Sequence, residues 1–177
     1  MAIEMAIEMT DSLKHRYSDL EDLGSADRYM DEILEIVHQI GLFDDLNEAE
    51  VRLVCRHMRC YGAPRNYIIL QEGLAGDGLL LVLTGAAREV GQVAGEQAET
   101  EVEVGAALGA TSFIDGKPHL TTCITSVPMD FAVLSRDALN IIQDEAPRLG
   151  NKLLLALLKL VAARLRIASR HSLSSIA

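Results

Sequence analysis

Short aliphatic runs separated by glycines, over residues 68–122, constrain the fold of this chain more than any other feature. One motif, residues 68–85, reads IILQEGLAGDGLLLVLTG, and a second, residues 108–122, reads LGATSFIDGKPHLTT. Glycine supplies the backbone conformations that tight turns require, and short aliphatic runs are typical of strands. The spacing therefore predicts many short strands joined by turns, as in an antiparallel roll or barrel.

Together the two motifs resemble the β-roll of the cyclic nucleotide-binding domain family, which occurs in catabolite activator proteins, kinase regulatory subunits and gated channels. The resemblance extends over about residues 33–168. It implies a mainly β fold with flanking helices: an antiparallel β-roll of the double-stranded β-helix or jelly-roll type, with N-terminal helices and a long C-terminal dimerisation helix. In the family, the roll senses a nucleotide and the last helix switches an output domain.

The second motif corresponds to the family's phosphate-binding cassette, in which Phe-Gly-Glu precedes a short helix and Pro-Arg-Ser/Ala-Ala-Thr follows it. By resemblance, Gly109 and Pro118 keep the scaffold. Ala110 stands at the glutamate position, His119 at the arginine position, and Leu120 at the small or hydroxyl position beside the phosphate. The candidate ligand pocket, assigned by resemblance, consists of Gly109, Ala110, Thr111, Ser112, His119, Leu120, Thr121 and Thr122.

These substitutions predict a degenerate cassette. A hydrogen bond to a charged group contributes about 1.5–3 kcal/mol net. Losing both the arginine fork and the ribose acceptor therefore lowers the affinity for a cyclic nucleotide by about a thousandfold. Near neutral pH, histidine replaces little of an arginine's charge, and we expect His119 to lie in a solvated loop. We expect no cofactor.

Residues 1–27 are predicted to form an acidic, partly disordered extension, which begins with the repeat MAIEMAIEM. Residues 28–177 are predicted to form the cyclic nucleotide-binding-like domain. Within it we expect a helical lead-in, the β-roll and C-terminal helices, over residues 28–60, 61–134 and 135–177.

Three local patterns predict elements inside this domain. A helical-period apolar stripe over residues 30–40 indicates one helix. Asn47 followed by Glu50 is typical of a capping box at the start of the next helix. The polar residues 91–100 are predicted to form a hairpin loop.

The last predicted helix is apolar nearly all round between Leu153 and Val161, whereas a surface helix has a single apolar stripe. One side is expected to face the roll, and the other needs a second protomer. We therefore expect a homodimer through the helix from Leu149 to Ile167. We expect no output domain after this helix, so any output requires an unidentified protein partner.

Charge and composition narrow the possible partners and location. The net charge is −10: residues before Lys152 carry −15, and those from Lys152 onwards carry +5. The acidic body disfavours nucleic acid as a partner. The longest apolar stretch, residues 153–165, is shorter than the roughly 20 residues of a membrane span. Three cysteines and no signal-peptide pattern predict a cytoplasmic protein with reduced thiols.

No catalytic or metal-binding pattern stands out. Cys55, His57 and Cys60 are close in sequence, but Cys55 lies on the apolar stripe of its helix, so buried thiols are expected instead of a metal site. The chain has no recognisable nucleophile–base order and no phosphate loop. We therefore expect no enzymatic activity.

Two functions remain open. The first is a stand-alone regulatory or scaffold module that works without nucleotide, which predicts a pocket narrowed or filled by Leu120 and its neighbours. The alternative is a small-molecule sensor that binds a cyclic nucleotide weakly, or a different ligand in the same pocket. Thr111 and Ser112 would supply hydroxyls to such a ligand, and the pocket would be open.

Overall fold

The computed structural model describes residues 16–76, 78–93 and 95–174. Nine strands in this part of the chain form two antiparallel sheets, and helices flank them, which confirms the predicted mainly β roll. The strands are β1 (Glu21–Ser25), β2 (Met58–Ala63), β3 (Ile68–Leu70), β4 (Gly78–Val82), β5 (Ala87–Val93), β6 (Glu96–Val102), β7 (Ala107–Leu108), β8 (Thr122–Thr125) and β9 (Met129–Ser135). The first sheet has the order β1-β2-β9-β4-β7, and the second has the order β3-β8-β5-β6.

The helices of the described residues lie before, within and after the roll. They are α1 (Met30–Glu35), α2 (Glu48–Arg56), α3 (Ala110–Asp115), α4 (Arg136–Glu145) and α5 (Pro147–Ser174), with 3-10 turns at Ala26–Tyr29, Val37–Gln39 and Gly41–Phe43. The capping box predicted before α2 is present, because the Glu50 backbone N–H donates to Asn47 and the Asn47 N–H donates to the Glu50 carboxylate. Ser135 caps α4 by accepting from the Ala138 N–H.

The N-terminal part differs from the prediction in two ways. The single helix predicted over residues 30–40 is split into α1 and a 3-10 turn, since Gln39 packs against the turn at Gly105 and the β-branched Ile36 and Val37 have low helix propensity. Strand β2 begins at Met58, inside the segment predicted as helical lead-in, because Met58 pairs with Leu134 of β9.

The segment before residue 27 is not simply an extension. Strand β1 pairs with β2 and is an edge strand of the first sheet. The sequence did not predict this strand. Just before it, Tyr17 is only 3% exposed and packs against Tyr61 and Phe131, with ring centroids 5.0 Å and 5.6 Å away. Residues 1–15, which contain the repeat, lie outside the described residues.

The loop predicted over residues 91–100 is mostly strand. Strands β5 and β6 pair from Ala87↔Val102 to Val93↔Glu96, so nearly all residues of the hairpin belong to paired strands. The polar composition reflects an edge strand whose side chains are mostly exposed.

Two apolar clusters build the core and position the site. One lies between the helices and the first sheet, and includes Phe43, Leu79, Phe113 and Leu153. The other fills the inside of the roll. Because Phe113 of α3 belongs to the first cluster, the short helix is fixed against the body of the domain.

Candidate functional site

The two glycine-rich motifs form one site. Helix α3 lies between Gly109 and Gly116, which both adopt the left-handed conformation, with φ of 75° and 70°. The loop of the first motif lies along the second half of the cassette, where Ala75 forms a β-bridge with Pro118. The Gly73 N–H donates to the His119 carbonyl, and the His119 N–H donates to the Leu74 carbonyl, both at 2.9 Å.

His119 is buried, and the prediction of a solvated loop histidine is wrong. Its side chain is only 6% exposed. A Cβ built on Gly76 would lie 2.7 Å from His119 Cε1, and one on Gly109 would lie 3.3 Å from the same atom. The ring therefore packs against two glycine backbones, and the backbone hydrogen bonds to the first motif hold it turned inward.

Leu120 points the opposite way. Its side chain is 72% exposed, so the prediction that Leu120 narrows or fills the pocket is wrong. Leu120 lies at a bend between His119 and the start of β8. Leu74, on the paired loop, is also exposed, at 54%.

The remaining predicted site residues are brought to the same region. Ala110 and Ser112 are buried in α3, whereas Thr111 is half-buried. The Thr122 hydroxyl accepts from the Glu72 N–H at 3.1 Å. Thr121 donates to the Glu89 carboxylate at 2.5 Å.

Glu89 also belongs to this region, although it lies outside both glycine-rich motifs. It lies on β5 opposite Cys123, on the same face as Ala87 and Gly91. A Cβ on Gly91 would lie 2.7 Å from Thr121 Cγ2, so the second half of the cassette sits directly on β5. Side chains alternate between the two faces of a strand, so a correct prediction of β5 would have placed Glu89 on the same face as Ala87 and Gly91.

Two arginines from the C-terminal helices also reach the cassette. Arg136 Nη2 donates to the carbonyls of Ser112 and Phe113, at 3.1 Å and 2.7 Å. Arg164 Nη2 donates to the carbonyl of Ala107 at 2.8 Å. Neither contact has a sequence signal, since the acceptors are backbone atoms.

The cysteines are structural. Cys55, Cys60 and Cys123 are buried free thiols, and burial raises the pKa of each to about 12. At Cys123 the charge of Glu89 raises the pKa further, and Arg164 opposes it. In the described ranges, no group of three or more potential ligands is placed to hold a metal ion.

An open groove of about 610 Å³ lies away from the cassette, between α2 and the junction of α4 and α5. It is lined by Asn47, Ala49, Glu50, Leu53, Ala146, Pro147, Arg148 and Leu149. Considering the described residues alone, no helix combines the length and apolarity needed to cross a membrane.

A solved structure resembles this chain over nearly its whole length. It is a cyclic nucleotide-binding domain from Methylobacillus flagellatus, which is 46% identical, with a TM-score of 0.79 and 90% of each chain covered. The chain belongs to the cyclic nucleotide-binding domain family.

More distant members of the family share the fold. The catabolite activator protein of Thermus thermophilus is 23% identical, with a TM-score of 0.67, over 76% of this chain and 63% of that protein. The regulatory subunit of a cAMP-independent protein kinase A from Trypanosoma brucei is 14% identical, with a TM-score of 0.64, over 86% of this chain and 53% of that one. No protein-family model and no curated protein matches the chain.

Proposed function

We propose that this cyclic nucleotide-binding domain is a regulatory module that works without bound nucleotide, as a homodimer that acts on a protein partner in trans. The observation that carries the proposal is the buried imidazole of His119, which lies at the cassette position where the family has an arginine. We infer a cytoplasmic, non-enzymatic role.

The side chains around this imidazole support the loss of nucleotide binding. Ala110 is fully buried and offers a methyl group where the family has a carboxylate that accepts from the ribose. Glu89 faces the cassette through Thr121, and its carboxylate repels an approaching phosphate.

The surface of α5 supports the homodimer. One stripe of the helix packs on the domain and is buried, at Leu149, Leu153, Ala156 and Leu157. A second apolar stripe follows the alternating four- and three-residue spacing of a coiled-coil seam, at Leu154, Leu158, Val161 and Leu165. Leu158 is 61% exposed and Leu165 is 65% exposed. Burying this stripe against a second copy stabilises both helices through the hydrophobic effect.

One observation favours the alternative, a sensor for another ligand. Because Leu120 points outward, it does not fill the mouth of the site. The Glu89 carboxylate and the Thr121 hydroxyl suit a ligand with hydrogen-bond donors and no phosphate.

Calorimetric titration with cAMP and cGMP tests the proposal. We expect no heat of binding for the unmodified protein and measurable binding for the Ala110→Glu/His119→Arg variant, which restores both family contacts. Ala110→Gln/His119→Gln is the matched control, since it has similar size without either charge. Tight binding by the unmodified protein would contradict the proposal.

A further inference from the structure

Helix α3 and the short strand before it are each tied to a C-terminal helix by an arginine. Arg136, the first residue of α4, reaches the last turn of α3. Arg164, near the end of α5, reaches β7, the short strand that leads into the cassette. Each arginine donates to backbone carbonyls, so the ties do not depend on any cassette side chain.

At the C-terminal end of α3, Arg136 donates to two backbone carbonyls. The last carbonyls of a helix lack partners within the helix, and a cation is favoured there. Arg136 supplies a donor to the Phe113 carbonyl and a second donor to the Ser112 carbonyl, which also accepts from the Gly116 N–H. A Cβ on Gly116 would lie 3.2 Å from Arg136 Nη1, so the guanidinium packs closely on the turn that ends α3.

At the strand before α3, Arg164 covers an open sheet edge. Strand β7 is the last strand of the first sheet and pairs with β4 on one side only. The carbonyl of Ala107, on this strand, accepts from Arg164. From residue 163 to residue 170 the side chains of α5 are exposed. The Arg164 contact therefore fixes this exposed part of α5 to the first sheet.

The first half of α5 is fixed separately, to residues that precede the roll. Lys152 pairs with Glu50 at 2.8 Å, and Lys159 pairs with Asp45 at 2.5 Å. These pairs set the position of the helix on the body but do not touch the cassette.

Helix α5 also packs on α3 through the first apolar cluster, which includes Phe113 and Leu153. The arginines add directed hydrogen bonds to this packing, from α5 to β7 through Arg164 and from α4 to α3 through Arg136.

We propose that Arg136 and Arg164 form a two-point clamp that, without a ligand, holds α4 against α3 and α5 against β7. The clamp keeps the apolar stripe of α5 permanently presented to the second copy. This inference rests on the proposed function. If the domain works without nucleotide, something else must hold the dimer helix in one position, and the clamp does so.

Hydrogen exchange read by mass spectrometry tests the clamp. We expect Arg136→Gln to raise exchange in residues 112–116, and Arg164→Gln to raise it in residues 107–109 and 163–170. The double variant should exchange about tenfold faster in all three segments, because charged hydrogen bonds to backbone limit local opening. Arg166→Gln on the same helix is the matched control. Arg136→Lys, which retains a cationic donor, is the second variant if Arg136→Gln does not fold.

Sedimentation equilibrium on the same samples separates the two proposals. If the double variant exchanges faster and dimerises more weakly than the control, the clamp is supported. If its exchange matches that of Arg166→Gln, the clamp is overturned even when the unmodified protein is a dimer. If the exchange rises but the unmodified protein is a monomer, the clamp stands and the homodimer of the proposed function fails.

Discussion

The cassette and helix α5 belong to the same domain but differ in what they leave available. In the cassette, His119 is buried between glycines and Thr121 is bonded to Glu89, so the chain's own side chains occupy the contacts. Along α5, Leu158 and Leu165 are left exposed. The side chains at the family's ligand-binding position thus contact other parts of this chain, whereas the apolar stripe of α5 is exposed to solvent. This difference is the reason that the proposed function gives the domain a protein partner instead of a nucleotide.

The largest expected effect comes from placing charge on the exposed stripe of α5. We expect Leu158→Glu/Leu165→Glu to raise the dissociation constant of the dimer by at least about a hundredfold, because each carboxylate would be buried against the partner helix. Sedimentation equilibrium measures the change, and thermal unfolding should show an intact monomer, since both side chains are exposed in one chain.

Ile68→Glu is the control for this experiment. Ile68 is a large apolar residue that is 49% exposed, but it lies on β3 and not on α5. If both variants dimerise like the unmodified protein, or if the Ile68 variant loses the dimer as well, the exposed stripe of α5 is not the interface.

A smaller effect is expected inside the cassette. Gly76→Ala should lower the free energy of unfolding by about 1–3 kcal/mol, because the new methyl group would overlap Ser112 and contact His119. Urea denaturation measures it. Gly41→Ala is the control, since a Cβ there would lie 3.7 Å from its nearest neighbour.

A double-mutant cycle measures how much of this cost comes from the histidine. In Gly76→Ala/His119→Ala the space left by the imidazole accommodates part of the methyl group, so the two destabilisations should sum to more than that of the double variant. If the destabilisation of the double variant equals the sum of the two single ones, His119 does not pack on Gly76 and the imidazole does not fill the site.

The sequence predicted the scaffold better than the side-chain directions. Turn glycines, the capping box at Asn47, helix α3 and the long last helix are local, so short patterns suffice to predict them. The inward direction of His119 depends on hydrogen bonds to Gly73 and Leu74, which only the folded chain brings near. Strand β1 likewise exists because β2 is beside it. Tertiary contacts of this kind have no signature in a single sequence.

The smallest expected effect concerns the ion pair that fixes the first half of α5. Hydrogen bonds from Lys152 and from the Asn47 N–H lower the pKa of Glu50. A lowered pKa in the folded state means that the pair stabilises the fold above the unfolded-state value of 4.5, and that this contribution is lost as the pH falls through the folded-state value. Glu50→Gln keeps the capping oxygen but removes the charge, so it should cost about 0.2–1 kcal/mol near neutral pH.

Urea denaturation of Glu50→Gln and the unmodified protein, at about pH 7 and about pH 3, measures this difference, which should be largest at neutral pH and decline in acid. Glu48→Gln is the control, because Glu48 pairs with Arg52 on the exposed side of the same helix. A cost that is the same at both pH values would show that Glu50 holds the helix by shape and not by charge. In that case the position of α5 would depend on its buried leucines, on the Lys159–Asp45 pair and on the Arg164 contact, and not on the charge of Glu50.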